Sequence, residues 1–223
     1  MKLQDLLIRA RGILHGEGWK GFVLKILRKI HYKVFITNHA YWFVRDLREK
    51  IERPSPKVPV KIDFSNKEDT IRWLQENHSR FGWMYIPDEI SLAHSCGHYL
   101  PSIRLDGKVV GYIKIGRERA YVLDYERELH LPSRDALVYD TFVLPEYRRK
   151  RIASFLIAEA MAFLREEGFR RLWCHIPPWN TSSIRAFCRS GFRRIAHIRF
   201  FKVLGRSFFS LDPERLIGRV ASR

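Results

Sequence analysis

The segment that most constrains the fold is a strand, a cationic turn and a long helix in direct succession. Residues 136–144 are strand-like and stop at Pro145, and the pattern over residues 152–167 predicts a helix that Gly168 closes. Four consecutive cations at 148–151 lie between the two. Because the first N–H groups of a helix have no intrahelical partner and carry its positive dipole end, this order predicts an anion site.

The rest of the chain supplies strands and helices that can surround this unit. Upstream, the pattern predicts a helix capped by Ser65 or Asn66 and a hairpin at Asp106-Gly107 between apolar runs at 99–105 and 109–115. Downstream, it predicts a strand at 172–176, a helix at 182–189 and a last hairpin formed by 192–203 and 207–211. A mixed sheet with helices on both faces, in the α/β (α+β) class, accommodates this order most simply.

The first 53 residues differ in character from the rest of the chain. They contain two amphipathic helical patterns, the second strongly basic, and then a short strand or buried turn at 41–44; Pro54, Pro56 and Pro59 follow and mark a predicted domain boundary. We therefore expect a helical extension at 1–53, one domain at 54–211 and a C-terminal tail at 212–223. The apolar face of the extension has two interpretations: packing on the protein body or a second subunit, as in a homodimer, and peripheral contact of residues 1–36 with an anionic membrane surface.

The charge balance indicates an anionic partner. The 223-residue chain carries a formal net charge of +17, concentrated at its two ends, with a sequence pI near 10.1. Its three cysteines have no CxxC spacing, which argues against a disulfide framework or zinc ribbon. The chain lacks a run of about 18 uncharged apolar residues, so we expect a cytoplasmic protein, either free or on the inner membrane face.

The cationic turn and the segment at 180–192 resemble the GNAT N-acetyltransferase superfamily. Its Q/R-x-x-G-x-G/A motif is matched by Arg148, Ile152 and Ala153, whereas Arg151 stands where the middle glycine is usual. The segment from Asn180 to Gly191-Phe192 is similar to a second family element, N-x-x-x-x-x-x-Y-x-x-x-G-F. The resemblance implies a mostly antiparallel central sheet flanked by helices.

The resemblance also implies acetyl-CoA, or another acyl-CoA, as co-substrate, and an amine as acceptor. By family position, the backbone N–H of Val143 polarises the thioester carbonyl. The family's usual tyrosine is replaced by Phe187, which cannot donate a proton to the leaving thiolate. The residues expected at the cofactor are Phe142, Val143, Arg148, Arg149, Lys150, Arg151, Ile152, Ala153, Ser154, Asn180 and Ser183.

The resemblance also implies that the general base is Asp140 or His175, because each would lie on one of the two central strands whose separation forms the family's active-site opening. Histidine has the better unperturbed pKa, and deprotonation relayed by water stays open. A metal site at His94, Cys96 and His98 is not expected, because a fourth ligand is not apparent nearby. The acceptor is expected to contact the final hairpin and the loop at 80–99, which contains Trp83, Tyr85, His94 and His98.

Two other functions fit parts of the sequence. The substitutions at Arg151 and Phe187 suit a GNAT-shaped module that binds coenzyme A or acts as a scaffold without catalysis. The arginine-rich final third suits a nucleic-acid-binding surface, although nonspecific binding is expected of any strongly basic protein, and nucleic acid is the less favoured partner.

Overall fold

The computed structural model describes residues 35–81, 85–203 and 206–222. The amphipathic helices predicted at the N-terminus lie outside the described residues, as does Trp83. Residues 39–198 and 211–222 form the main compact unit, and the described residues 35–38, 199–203 and 206–210 belong to a second unit. Within the described ranges, every helix is too short or too polar to cross a bilayer.

The strands and helices alternate along the chain much as the sequence predicts. The strands are β1 (Phe35–Asp46), β2 (Val60–Asp63), β3 (Ser102–Leu105), β4 (Lys108–Arg117), β5 (Arg119–Val122), β6 (Arg127–His130), β7 (Asp135–Val143), β8 (Arg171–Ile176), β9 (Arg193–Val203) and β10 (Arg206–Phe209). The helices are α1 (Lys67–Glu76), α2 (Pro87–Ser95), α3 (Ile152–Glu166), α4 (Thr181–Arg189) and α5 (Pro213–Ala221).

In the main unit, the strands form one mixed sheet in the order β9-β1-β8-β7-β4-β3-β2, with β5 and β6 attached to β4. Strand β8 pairs antiparallel with β1 and parallel with β7, and the pairs from β7 to β2 are antiparallel. In the second unit, β10 pairs antiparallel with the last residues of β9. The predicted fold class, a mostly antiparallel GNAT-like sheet flanked by helices, is confirmed.

Helices cover both faces of this sheet. On one face, Leu156 and Met161 of α3 are buried with Ile113 and Ile115 of β4. On the other face, Leu74 of α1 and Ile90 of α2 belong to a cluster with Tyr112 and Phe142. Burying both faces in this way contributes about 25 cal/mol per Å² of apolar surface removed from water. The two faces are therefore distinct cores, and the second lies under the helices that follow β2.

Local signals explain several element ends. The side chain of Asn66, one of the two predicted caps, accepts from the N–H of Asp69 and starts α1. The predicted Asp106-Gly107 turn joins β3 to β4, and both of its residues have positive φ, as a tight hairpin turn requires. Gly168, at φ 86°, follows the end of α3 as predicted.

The structure departs from the predicted domain organisation at both ends. The segment 1–53 is expected to be a helical extension with only a short strand or buried turn at 41–44. Instead, strand β1 covers Phe35–Asp46, and its part from His39 onward pairs within the main sheet. The prolines at 54–59 therefore lie in the connection between β1 and β2. Residues on both sides of them belong to the main compact unit. The tail at 212–223 contains helix α5, which Asp212 caps and which buries Leu216 and Ile217.

The hairpin formed by β5 and β6 does not appear among the predicted elements. Its strands pair from Arg119 with His130 to Val122 with Arg127. A short turn, Leu123–Tyr125, forms its tip. The alternation of buried Ala120 and Val122 with polar neighbours is the signal that could have identified it.

Candidate active site

Strands β7 and β8 separate partway along the sheet. Their parallel pairing ends at Val138 and Cys174, although both strands continue further. At the same level, the register between β4 and β7 shifts, and Tyr139 is the extra residue. Because a bulge of this kind bends the strand that carries it, β7 diverges from β8. The result is a gap between the two central strands.

The backbone N–H of Val143 points toward this gap. The N–H of Leu144 donates to the carbonyl oxygen of Val110 at 2.9 Å, so these two residues form a hydrogen-bonded pair. Along an antiparallel pair of strands, such pairs alternate with pairs whose N–H groups point away from the partner strand. The next pair, Gly111 with Val143, is of this second kind, so the N–H of Val143 points away from β4. The carbonyl oxygen of Val143 accepts from Nε of Arg148 at 3.0 Å. This bond ties the end of β7 to the cationic turn.

At the start of α3, the first N–H groups lack acceptors in the described ranges 35–81, 85–203 and 206–222. The N-cap residue, Arg151, makes no side-chain cap hydrogen bond, and the first helical bond runs from the N–H of Phe155 to the Arg151 carbonyl at 3.1 Å. The N–H groups of Ile152, Ala153 and Ser154 come before it and have no acceptor within the described part of the chain. These three donors and the positive dipole end suit an anion.

The turn before α3 contains two residues in the left-handed region. Arg149 has φ 62° and Arg151 has φ 61°, a conformation that favours glycine. A turn in which such residues alternate with others forms a concave nest of N–H groups. Arg151 thus adopts the backbone of the glycine that it replaces in the family motif, and its side chain is exposed.

The cations of this turn are held by aromatic rings and the backbone. The Arg148 guanidinium lies 5.5 Å from the ring centre of Phe142, and Nζ of Lys150 lies 5.1 Å from that of Tyr147. The Lys150 carbonyl accepts from the N–H of Lys57 at 2.9 Å. Among the described residues, the ion pairs involve none of the four cations at 148–151. Their charge is therefore available to an anion.

The second predicted cofactor element starts α4. The side-chain oxygen of Asn180 accepts from the N–H of Ser183 at 3.2 Å and from the hydroxyl of Ser182 at 3.0 Å. The Ser183 N–H is thus engaged by the cap, unlike the amides at the start of α3. Phe187 is buried, with its ring centre 4.9 Å from that of Phe192. Where the family usually has tyrosine, this position is therefore part of the core.

Asp140 lies on β7 and is held by two donors from β4. Its Oδ2 accepts from the Tyr112 hydroxyl at 2.6 Å and lies 3.4 Å from Nζ of Lys114. The Asp140 side chain is 21% exposed, whereas that of Lys114 is fully buried. Burial and the nearby Asp140 charge raise the pKa of Tyr112 far above its usual value, so the phenol stays protonated. Asp140 is the more accessible of the two predicted bases.

Beneath Asp140 lies a buried charged residue that is not among the residues predicted from the sequence. Oε2 of Glu89, on α2, is 2.8 Å from Nζ of Lys114, and its side chain is 5% exposed. Desolvation raises the pKa of Glu89 to about 7, although the attraction of Lys114 opposes this shift. Lys114 stands between Ile113 and Ile115 in an apolar strand. This isolated charge is the sequence signal that could have indicated a buried ion pair at Lys114.

His175, the other predicted base, is covered by the tip of the β5–β6 hairpin. Its side chain is 7% exposed, and Nε2 lies 3.4 Å from Oδ2 of Asp124. The imidazole stacks on Trp42 at 5.6 Å, and the indole N–H of Trp42 donates to the Tyr125 hydroxyl at 2.9 Å. Its Nδ1 is buried and has no hydrogen-bond partner among the described residues. The hydrogen bond from His175 lowers the pKa of Asp124.

His98 and Tyr85, two of the residues weighed as a metal ligand or acceptor contacts, have other partners. Both ring nitrogens of His98 are engaged, with Tyr139 Oη at 3.2 Å and the Arg119 carbonyl oxygen at 2.7 Å. Burial lowers the pKa of His98 to about 4. The Tyr85 hydroxyl accepts from Nε2 of Gln75 at 3.0 Å. In the described ranges, His, Cys, Asp and Glu form no group that could hold a metal ion.

Comparison with protein families agrees with this geometry. The profile of the Acetyltransferase (GNAT) family matches residues 62–192, and the chain belongs to this family. Its members are N-acetyltransferases, and the fold binds acetyl-CoA as co-substrate. No curated protein sequence matches the chain significantly.

Solved structures show the same fold at low identity. A Drosophila protein matches with a TM-score of 0.54 and 15% identity over 83% of this chain and 58% of its own. The glucosamine N-acetyltransferase region of a fungal multi-domain GH3 β-N-acetylglucosaminidase matches with a TM-score of 0.55 and 15% identity. The match covers 82% of this chain and 22% of that protein. A GCN5-related N-acetyltransferase from Sphaerobacter thermophilus matches with a TM-score of 0.53 and 14% identity, and the match covers 79% of this chain and 54% of that protein. This chain spans less than two thirds of each of these proteins.

Proposed function

We propose that this protein transfers an acyl group, most simply acetyl, from coenzyme A to an amine. The observation that carries the proposal is the row of N–H groups at Ile152, Ala153 and Ser154, which have no acceptor among the described residues and start a helix behind four cations. A diphosphate held there would gain charge-assisted hydrogen bonds of about 1.5–3 kcal/mol each. Membership in the GNAT family supports a coenzyme A diphosphate as this anion.

The gap between β7 and β8 supports an acceptor site next to the donor site. The acyl-CoA supplies an activated thioester carbonyl, and we assign the polarisation of its oxygen to the backbone N–H of Val143, because the strand register turns this N–H away from β4 and toward the gap. The acceptor nitrogen attacks this carbonyl carbon, so that a C–N bond forms and the C–S bond breaks. Asp140 accepts the amine proton, and coenzyme A leaves as the thiolate, to which Phe187 cannot supply a proton.

Asp140 is favoured over His175 as the base. Both also act electrostatically on the Glu89 carboxyl, Asp140 raising its pKa and His175 lowering it. Asp140 keeps 21% of its side chain exposed, whereas His175 is covered by Trp42 and the hairpin tip. A base must reach the amine directly or through one water.

Binding and turnover test the proposal separately. Calorimetric titration with acetyl-CoA and with longer acyl-CoA thioesters should show saturable binding that weakens about tenfold in Arg148→Ala. Arg165→Ala, an exposed arginine at the other end of α3, is the matched control and should bind like the wild type. A free-thiol assay against amino sugars, polyamines, amino acids and peptides should then identify an acceptor.

The possible outcomes discriminate between the candidate functions. Binding together with thiol release that depends on an amine supports acyl transfer. Tight binding without turnover on any amine supports the non-catalytic module. Equal affinity in wild type and Arg148→Ala contradicts the placement of the diphosphate at the start of α3.

A further inference from the structure

A chain of buried charges runs from α2 to the proposed base. Nζ of Lys114 lies between two carboxylates, 2.8 Å from Oε2 of Glu89 and 3.4 Å from Oδ2 of Asp140. The side chains of Lys114 and Glu89 are 0% and 5% exposed. Tyr112, also fully buried, donates its hydroxyl to the same Asp140 oxygen at 2.6 Å. The network thus ends on the one member that reaches the surface of the gap.

Stability alone does not account for this arrangement. Removing an ammonium and a carboxylate from water costs several kcal/mol per ion, and well-packed apolar residues often serve at least as well. Tyr112, two residues before Lys114 on β4, belongs to a buried cluster with Ile90 and Phe142, and Nζ of Lys114 lies 5.6 Å from its ring centre. An apolar residue in place of Lys114 would extend this cluster. The charges therefore point to a role in the site.

We propose that Glu89 and Lys114 are positioning residues for Asp140, and that the charge state of Glu89 decides how strongly Lys114 neutralises the Asp140 carboxylate. This inference rests on the proposed acyl transfer. It assigns to Glu89 a regulatory role at the acceptor side, one helix away from the reacting atoms.

The unequal distances give the mechanism. When Glu89 is ionised, the Lys114 ammonium, which lies nearer to Glu89, is largely neutralised there, and Asp140 remains able to accept a proton. When Glu89 is protonated, the same ammonium acts on Asp140 alone and disfavours the proton transfer. Activity should therefore rise as Glu89 ionises.

The surroundings place this change near neutral pH. Desolvation raises the pKa of Glu89 to about 7, and Lys114 opposes the shift. The titratable groups that interact with the Glu89 carboxylate are Lys114 and Tyr112 from β4, Asp140 and Tyr139 from β7, and His175 from β8. The two phenols stay protonated because burial raises their pKa values, so Lys114, Asp140 and His175 are the charged or chargeable neighbours.

The test is the pH profile of kcat/KM for acyl transfer. In the wild type, kcat/KM should rise as the pH passes through about 7. We call this rise the ascending limb and attribute it to the ionisation of Glu89. Glu89→Gln mimics the protonated state at every pH, so the limb should disappear and kcat/KM above it should fall about tenfold, the usual effect of one nearby charge. Glu89→Asp keeps a carboxylate and should restore part of the limb. Asp88→Asn, which alters an exposed neighbour on α2, should retain the wild-type profile.

Two further measurements separate the causes of a negative result. Acetyl-CoA affinity and circular dichroism should match the wild type in Glu89→Gln, which shows that the donor site and the fold are intact. Infrared difference spectra of the wild type against Glu89→Gln should show a buried carboxyl group that loses its proton near pH 7.

An active wild type whose limb persists in Glu89→Gln overturns this inference and leaves the proposed function standing. If the wild type transfers no acyl group to any amine, both the proposed function and this inference are contradicted. The infrared titration then reports only the ionisation of Glu89. If Glu89→Gln loses its fold, Glu89→Asp decides: a limb unchanged in position and size contradicts the role of Glu89.

Discussion

The two sides of the gap between β7 and β8 are built from different groups. The donor side, which we define as Val143 and residues 148–154, offers backbone N–H groups and exposed cations. The acceptor side, defined as Glu89, Tyr112, Lys114 and Asp140, consists of three almost entirely buried side chains and the partly exposed Asp140. One side is positive and solvated, whereas the other holds two carboxylates around one ammonium.

This difference separates the tasks of the two sides. Backbone donors at a helix start have fixed directions and do not titrate, so the donor side should bind a diphosphate with little dependence on pH near neutrality. Buried carboxylates change their charge with pH and are sensitive to each neighbour. Variants on the two sides should therefore change different observables.

The largest effect is expected from Asp140→Asn. Removing a general base typically costs about 10²- to 10⁴-fold in rate, so kcat should fall by that factor while acetyl-CoA affinity stays within about twofold of the wild type. His175→Gln is the matched variant on the neighbouring strand and should lose less than about tenfold. A larger loss in His175→Gln than in Asp140→Asn would exchange their roles and place the base beneath the hairpin tip.

A second prediction concerns stability rather than rate. The pKa of Glu89 is raised from 4.5 to about 7 in the folded protein, so the folded state binds the proton more tightly than the unfolded state. The stability contributed by this group is complete below pH 4.5 and is lost as the pH rises through about 7. The loss amounts to about 3 kcal/mol for a buried carboxyl with this shift.

Urea unfolding at about pH 5 and about pH 8 measures this contribution as the difference between the wild type and Glu89→Gln. The wild type should be more stable relative to the variant at the lower pH, by about 2.5 kcal/mol compared with the higher pH, because the unfolded state is already mostly ionised at about pH 5. A difference that does not change with pH would mean that Glu89 does not titrate in this range. Asp88→Asn again serves as the control, since Asp88 is exposed.

The same contrast explains what the sequence could and could not predict. The donor side is contiguous: β7, the turn and α3 follow one another, so the strand-turn-helix unit that carries the proposed anion site could be predicted from helix-end signals and from the motif at Arg148, Ile152 and Ala153. The acceptor side is assembled from α2, β4 and β7. Only the fold brings Glu89 within 2.8 Å of Lys114, and no local pattern encodes that contact.

Two further departures have similar causes. Strand β1 pairs with β8 across more than a hundred residues, Trp42 opposite His175, and nothing near Trp42 in the sequence indicates this partner. The tip of the β5–β6 hairpin covers His175 through Asp124, a contact that depends on the same long-range arrangement. The predicted location of Asp140 and His175 on the two central strands is correct, but their different exposure comes from these covering elements.

A third prediction compares the two helix starts. At α4, Oδ1 of Asn180 already caps the N–H of Ser183, whereas α3 has no side-chain cap. Asn180→Ala should lower stability by about 1 kcal/mol through the lost cap, and acetyl-CoA affinity should also fall if the amide contacts the pantetheine arm. Asn180→Asp keeps a cap oxygen and removes the amide donor. It should therefore retain stability and lose only affinity.

Thermal unfolding and calorimetric titration of both Asn180 variants provide the two observables. Ser182→Ala is the control, because it removes a hydroxyl that donates to Asn180 and leaves the cap itself in place. Unchanged affinity in both Asn180 variants would restrict this residue to capping. The expected cofactor contact at Asn180 would then be wrong.

The smallest effect is expected at Arg151, where strain and charge oppose each other. A side chain at φ 61° costs about 1 kcal/mol, and glycine there removes that cost, although glycine also gains freedom in the unfolded chain. Arg151→Gly should therefore be more stable than Arg151→Gln by about 0.5–1 kcal/mol. Both variants lose the guanidinium, but only the glycine variant loses the backbone strain.

The same two variants test whether the Arg151 guanidinium contacts the diphosphate. If it does, both should bind acetyl-CoA about threefold more weakly than the wild type, and this loss of affinity should shrink with added salt. Equal stabilities would show that the turn holds arginine without cost. An affinity loss in Arg151→Gly alone would mean that the backbone shape of the turn, rather than its charge, holds the diphosphate.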